Sequence, residues 1–183
     1  VRDIPTLETD RLILRAFREA DAAVLCELMQ DPEVVEFIGD RQTPSPEDCW
    51  RAVAGWIGHW VMRDYGPWAV TDRVSGVFMG RVGIHFPESW PQPELGYTLG
   101  KRYWGKGFAT EAVRAAMDWG FTNREFPELV SFIDPLNVRS IGVATRVGET
   151  YRRDAELRGH PVRAYVITRA EWEAQRAEPP REA

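Results

Sequence analysis

From Glu94 to Gly120 the chain reads as strand, glycine turn and helix, and no other stretch restricts its fold as much. Glu94-Leu95-Gly96-Tyr97-Thr98-Leu99 is a short run of β-compatible residues. A basic, glycine-bearing turn follows from Gly100 to Gly107. Ala109, Ala112, Val113, Ala116 and Met117 then fall on one face at helical spacing, which predicts a helix starting near Gly107. Such a junction is an anion site, because the first N–H groups of a helix lack internal partners and carry partial positive charge. Gly105 and Gly107 lack a Cβ, so the backbone turns sharply and a phosphate can approach. Lys101, Arg102 and Lys106 add charge, and Lys101 and Lys106 are the only lysines in the chain.

Isolated glycines in a strand-to-helix turn often serve the turn alone, so a ligand needs more than their presence. Gly100-x-x-x-x-Gly105-Lys106 matches most of a nucleotide P-loop, but Gly107 stands where Ser or Thr should hold magnesium. The dinucleotide frame G-x-G-x-x-G starting at Gly105 ends on Thr110 and fails as well. Arg102-Tyr103-Trp104-Gly105-Lys106-Gly107-Phe108-Ala109 fits a third pattern without repair. It resembles the Q/R-x-x-G-x-G/A motif of the GNAT-type N-acetyltransferases, which binds the coenzyme A pyrophosphate. The longer run Y-W-G-K-G-F-A-T-E-A, with the opening L-E-T-D-R-L-I-L-R, is similar to the branch containing the ribosomal-protein N-terminal acetyltransferases.

The resemblance spans about Leu7 to Trp172 and implies an α/β fold: one GNAT-like domain with a central twisted mixed sheet and helices on both faces. It also implies acetyl-CoA as cosubstrate and an amine-bearing acceptor, either a peptide N-terminus or a small molecule. In that fold the strand ending at Leu99 and the strand ending at Ile133 diverge, and pantetheine lies between them. Backbone groups of Tyr97, Thr98 and Leu99 are expected to hold it, with Arg102, Gly105, Lys106, Gly107, Phe108 and Ala109 at the phosphates. Asp134-Pro135-Leu136-Asn137-Val138-Arg139-Ser140 resembles the family's N-x-x-S segment, which adds Asn137 and Ser140 to the coenzyme site. Glu149-Thr150 departs from the branch, where an apolar aromatic residue or methionine more often follows Gly148, so different packing is expected there.

At 183 residues the chain has room for one domain with a good core. We expect the domain over residues 1–177 and a disordered tail over 178–183. A net charge of −5 argues against a nucleic-acid partner, and no apolar run is long enough for a membrane span. Cys26 and Cys49 lack metal spacing and read as buried free thiols of a cytoplasmic protein. No metal site is expected, and a homodimer is left open.

The remaining pattern predicts a first strand from Thr6 to Phe17, a helix capped by Asp21 and a short helix over Glu33–Ile38. Ser45, Pro46, Glu47 and Asp48 open a further helix whose apolar stripe reads Trp50, Val53, Ala54, Ile57, Trp60 and Val61. A hairpin over Trp68–Phe86 precedes the central unit. After it come a strand over Leu129–Ile133, a helix to Gly148, two strands, and a short helix opened by the capping box Thr168–Glu171.

Acetyl transfer to an amine requires a held coenzyme, a neutral amine, an oxyanion donor and a proton for the departing thiolate. Glu94 and His85 are the candidate general bases. Ser140 is the candidate proton donor, with Tyr151 and Tyr165 as alternatives, and Asn137 both caps its helix and faces the cleft. Arg11, Arg15, Arg81, Arg139 and Arg146 read as surface or sheet-face residues. Glu36, Asp40 and Glu88, with Trp68 and Trp90, are expected around a cationic acceptor. A non-catalytic acyl-CoA-binding domain would share all these coenzyme contacts.

Overall fold

The computed structural model describes residues 3–177, so the expected tail over 178–183 lies outside the described residues. The strands are β1 (Leu7–Glu8), β2 (Leu12–Arg15), β3 (Pro67–Asp72), β4 (Phe78–His85), β5 (Glu94–Leu99), β6 (Glu128–Ile133), β7 (Thr150–Leu157) and β8 (His160–Thr168). The helices are α1 (Asp21–Met29), α2 (Pro32–Val35), α3 (Pro46–Arg63), α4 (Phe108–Asn123), α5 (Val138–Val147) and α6 (Arg169–Ala177). The strands form one mixed sheet in the order β1-β2-β3-β4-β5-β6-β8-β7. The β5–β6 pair is parallel and the other neighbours are antiparallel.

Alternation along the central strands sends side chains to two separate cores. Val82, Ile84, Leu95 and Leu99 meet Ala112, Val113, Ala116 and Met117 of α4, the face that helical spacing had marked. On the opposite face Phe17, Ala69 and Phe78 pack with Leu25 of α1 and Val53 of α3. The mixed sheet with helices on both faces is therefore as expected. Among the described residues no helix is long and apolar enough to cross a membrane.

Several local expectations are corrected. The first strand is broken, because the Leu12 N–H bonds the Thr9 hydroxyl at 3.0 Å and the chain folds back as the β1–β2 hairpin. Asp21 begins α1 but does not cap it. Its carboxylate accepts from the Arg15 guanidinium at 2.7 and 2.8 Å and from the Arg18 N–H at 2.7 Å. The short second helix starts one residue earlier than expected and stops at Val35, with Asp31 as its cap. In α3 the Ser45–Asp48 capping box forms, yet Trp50 and Val61 face solvent. Its buried stripe is Cys49, Val53 and Trp60, rotated by the demand to cover both α1 and the sheet edge. Cys49 is buried and Cys26 half-buried, both free thiols.

Candidate active site

The glycine turn sits at the C-terminal end of β5. Gly105 and Gly107 adopt φ values of 71° and 80°, a left-handed conformation that side chains resist. Gly107 caps α4 without any side-chain hydrogen bond, and Glu111 is the first residue to donate back into the helix, to the Gly107 carbonyl at 3.0 Å. The N–H groups of Phe108, Ala109 and Thr110 therefore point out of the helix end without intrahelical partners. A Cβ at Gly105 would meet nothing within 4 Å, so the turn opens onto free space.

The turn is braced from behind by residues that the sequence reading left on the surface. Arg11 donates to the Lys106 carbonyl at 2.9 Å and to Glu111 at 2.7 Å, and lies 4.5 Å from the Phe108 ring centroid. Thr9 donates to the same Glu111 carboxylate at 2.6 Å. Lys101 turns away from the helix end to pair with Glu33, whereas the exposed Lys106 bonds the Arg102 carbonyl at 3.0 Å. Beside the turn runs a groove of about 440 Å³, walled by Tyr97, Thr98, Leu99, Gly105, Ala109, Asn137 and Ser140, with Arg139 and Arg146 on the α5 side. Unpaired helix-end N–H groups, left-handed glycines and two wall arginines suit the pyrophosphate of coenzyme A.

β5 and β6 share one register pair, Glu94↔Val130, whereas β4 and β5 share six. Beyond Glu94 the two strands diverge, as the resemblance implied. The Ser131 hydroxyl bridges the opening, 2.9 Å from the Leu95 carbonyl and 2.9 Å from Glu149 Oε1. A hydroxyl carries one proton, and the Leu95 carbonyl can only accept. Ser131 can therefore donate to only one of these oxygens at a time; when burial keeps Glu149 protonated, Ser131 donates to Leu95 and accepts from the acid. Glu149 is buried and its Oε2 has no partner. Desolvation, with the Glu94 charge acting in the same direction, pushes its carboxyl up to about 8. Glu149 follows Gly148, the position at which the resemblance implies different packing.

On the sheet face toward α3 lies a second cavity, of about 400 Å³. It shares Phe37, Ile38, Tyr97, Thr98, Asn137 and Ser140 with the groove, so the two spaces meet at the diverging strands. Glu94, His85, Arg81 and Trp90 line it. Glu94 Oε2 accepts from the Trp90 indole at 2.6 Å. Burial raises its proton affinity above the ordinary carboxylate range, against the lowering effects of Trp90 and Arg81.

His85 behaves oppositely. It stacks on His59 with centroids 5.2 Å apart, and its buried Nδ1 has no partner. Burial, the Arg81 charge and His59 pull its pKa down to about 3, so the ring stays neutral and is a poor proton acceptor near pH 7. His59 lies 2.7 Å from the Tyr65 carbonyl and accepts from the Phe86 N–H at 3.0 Å, a pairing that fixes a neutral ring.

Asn137 caps α5 by accepting from the Ser140 N–H at 3.1 Å and lines both cavities, joining the two expected roles. Ser140 also lines both, and its carbonyl accepts from the Tyr97 hydroxyl at 2.9 Å. Tyr151 and Tyr165 line neither cavity: Tyr151 is exposed on β7 and Tyr165 packs against Ile133 and Ala144. The expected acceptor entrance also needs correction. Trp68 is fully buried and donates to the Pro5 carbonyl, Glu36 pairs with Arg139, and Glu88 pairs with Arg63. Neither these residues nor Asp40 line the cavity, and Trp90 does. Sequence reading missed Trp56 and Arg81, whose roles depend on contacts between elements far apart in the chain. Among the described residues no three His, Cys, Asp or Glu side chains gather as a metal site.

Comparison with known proteins agrees with this geometry. The model of the acetyltransferase (GNAT) domain matches residues 11–150. YkkB of Bacillus subtilis is 34% identical over 167 residues, covering 87% of this chain and 93% of that protein. The crystal structure of an acetyltransferase from Agrobacterium tumefaciens superposes with a TM-score of 0.81 at 29% identity, covering 91% of this chain and 96% of its own. RimL, a ribosomal L7/L12 α-N-protein acetyltransferase solved with coenzyme A, shares the fold with a TM-score of 0.76. It is 20% identical, over 90% of this chain and 98% of its own.

Proposed function

The chain belongs to the GNAT acetyltransferase family, as an N-acetyltransferase with acetyl-CoA as cosubstrate, and on that premise we propose that Glu94 deprotonates a primary amine held in the cavity under α3. The observation that carries this reading is the meeting of two cavities at Tyr97, Thr98, Asn137 and Ser140. The groove beside the glycine turn suits the coenzyme, and the α3-side cavity, with its buried carboxyl, suits the acceptor. Bound in the groove, acetyl-CoA supplies an acetyl thioester to a neutral amine.

The chain's own residues divide the remaining work. The α4 N-terminus and the backbone from Gly105 to Ala109, with Arg139 and Arg146 on the groove wall and Arg102 and Lys106 in the turn, hold the pyrophosphate. Beyond Glu94 the β5 edge facing β6 has left the ladder, and the backbone of Tyr97, Thr98 and Leu99 is available to orient the pantetheine arm. Glu94 Oε1 and Oε2 take the ammonium proton, directly or through water, since a carboxyl with raised affinity is better matched to an amine than an ordinary one. His85, kept neutral, shapes the wall and excludes water. Ser140, at the junction of the cavities, hydrogen-bonds the departing thiolate and relays a proton to it from solvent, so that no alkoxide is left.

An amine and peptide panel, read as thiol release from acetyl-CoA, tests the proposal. At least one primary amine should release thiol at a rate well above hydrolysis. Tight acetyl-CoA binding with no amine turned over would instead favour a non-catalytic acyl-CoA-binding domain.

A further inference from the structure

Arg81 occupies an unusual position for a guanidinium. It lies on β4, on the same sheet face as His85, and its side chain crosses β5 above Gly96. An added Cβ at Gly96 would sit 3.1 Å from Arg81 Nη1, so the missing side chain leaves the passage for the guanidinium. The Trp56 ring of α3 covers its other side, with the centroid 5.2 Å from Cζ. The group is largely buried, and burial disfavours its charge. Yet it makes no hydrogen bond or ion pair with any described residue. Glu94 is near enough to exert a Coulombic pull but is engaged by Trp90. Five N–H donors, which no ordinary pH removes, are thus held at the wall of the acceptor cavity with no acceptor among the described residues.

We propose that Arg81 binds the carboxylate of the acceptor, so that the substrate is a small amino acid whose amine faces Glu94 and whose carboxylate meets the guanidinium. This rests on the acetyltransfer reading given above and names its substrate class. A buried, fixed fork of donors matches a planar carboxylate in two parallel bonds, and a single negative charge restores neutrality beside it. A phosphate would bring a second charge close to Glu94, Asp48 and Asp134, which line the same cavity. The volume of about 400 Å³ suits a molecule of this size. The neighbouring Trp56 and Trp90 favour an apolar side chain on it. A peptide N-terminus would leave the guanidinium unpaired, because its own carboxylate has become an amide.

The test uses product binding, which does not depend on turnover. With CoA at saturation, affinities are measured for N-acetylglycine, N-acetylleucine and N-acetylphenylalanine and for the corresponding N-acetyl amides. At least one acid should bind tenfold or more tightly than its amide, a preference that shrinks in Arg81→Lys and falls to about one in Arg81→Met. CoA affinity and thermal stability, measured on each variant, identify any that fail to fold, and Arg81→Lys keeps the test alive if Arg81→Met does. A wild-type ratio near one for every pair overturns the proposal. So does a preference that survives in Arg81→Met, or the absence of binding by every acid. If acids bind as expected while no amine releases thiol from acetyl-CoA, the acetyltransfer reading fails and the carboxylate site stands.

Discussion

The groove proposed for the coenzyme and the cavity proposed for the acceptor share five polar or aromatic residues, Phe37, Tyr97, Thr98, Asn137 and Ser140, but they are built in opposite ways. The groove takes its ligand-facing groups mainly from backbone: helix-end N–H groups, two left-handed glycines and a strand edge released from its ladder. The cavity takes them from side chains on α3, β4 and β5, each placed by contacts with the others. Backbone donors come in a fixed geometry set by a short local sequence, and they tolerate change around them. Side-chain donors must be buried and oriented, and burial then alters their chemistry. It raises Glu94, lowers His85 and leaves Arg81 without an acceptor among the described residues. One region would keep its ligand through many sequence changes, while the other would change its ligand through few.

The contrast breaks most sharply at Glu94. Replacing it with glutamine keeps the Trp90 contact but removes the proton acceptor. We expect kcat/KM for the best amine to fall about 10²- to 10⁴-fold, with acetyl-CoA affinity unchanged. In the wild type, kcat/KM should rise with pH along a limb centred above the ordinary carboxylate value of 4.5, since Glu94 acts only after losing its own proton. That limb should be absent from the glutamine variant. A variant with wild-type activity would remove Glu94 from the mechanism.

Gly107→Val attacks the other region. A β-branched residue at φ 80° is strained, and its Cβ would sit 3.3 Å from the Arg11 guanidinium that braces the turn, so the turn should shift and acetyl-CoA affinity drop about tenfold. Calorimetric titration with acetyl-CoA measures it. Unchanged affinity would reduce Gly107 to a turn residue.

These two residues also mark what the sequence revealed. Gly107 was legible because its role follows from neighbours within a few positions, in a strand–turn–helix order that composition and spacing predict. The same held for the Ser45 and Thr168 capping boxes and for the α4 face. Glu94 and His85 were both legible as candidates, but their opposite shifts were not. The ordinary pKa of histidine favours it as a base, and only tertiary burial beside Arg81 and His59 reverses the order. Arg81 read as a sheet-face residue, which it is; that the face is covered by Trp56 depends on an α3 register the stripe analysis misplaced. The acidic entrance failed for a similar reason, as Glu36 and Glu88 are neutralised by Arg139 and Arg63 from distant elements.

At the junction of the two regions a smaller effect is expected. Ser140→Ala leaves the Tyr97 bond intact, because Tyr97 donates to the backbone carbonyl of Ser140. Loss of the hydroxyl should lower kcat about two- to tenfold, the range of one ordinary hydrogen bond, with little change in acetyl-CoA affinity. Equal turnover would remove Ser140 as proton donor. Tyr97, whose hydroxyl reaches the same place, would be the next group to test.

The smallest effect concerns the carboxyl beneath the junction, and it reads out in stability rather than turnover. Glu149 holds its proton up to about pH 8 in the folded chain, against about 4.5 when exposed. An acid bound more tightly to its proton in the folded state contributes fully to stability below the unfolded value and loses that contribution as pH rises through the folded one. The protein should therefore lose stability between about pH 4.5 and 8 on this account. Glu149→Gln offers Ser131 the same kind of donor with no proton to lose. At pH 8.5 it should raise stability by about 1 kcal/mol or more, or about 2–4 °C in Tm for a chain of this size. At pH 5 the two proteins should melt together. Scanning calorimetry at the two pH values separates this from a general packing effect, which would shift Tm equally at both. A loss of stability at pH 8.5 would mean that Glu149 is ionised in the fold and that Ser131 donates to it instead of to Leu95.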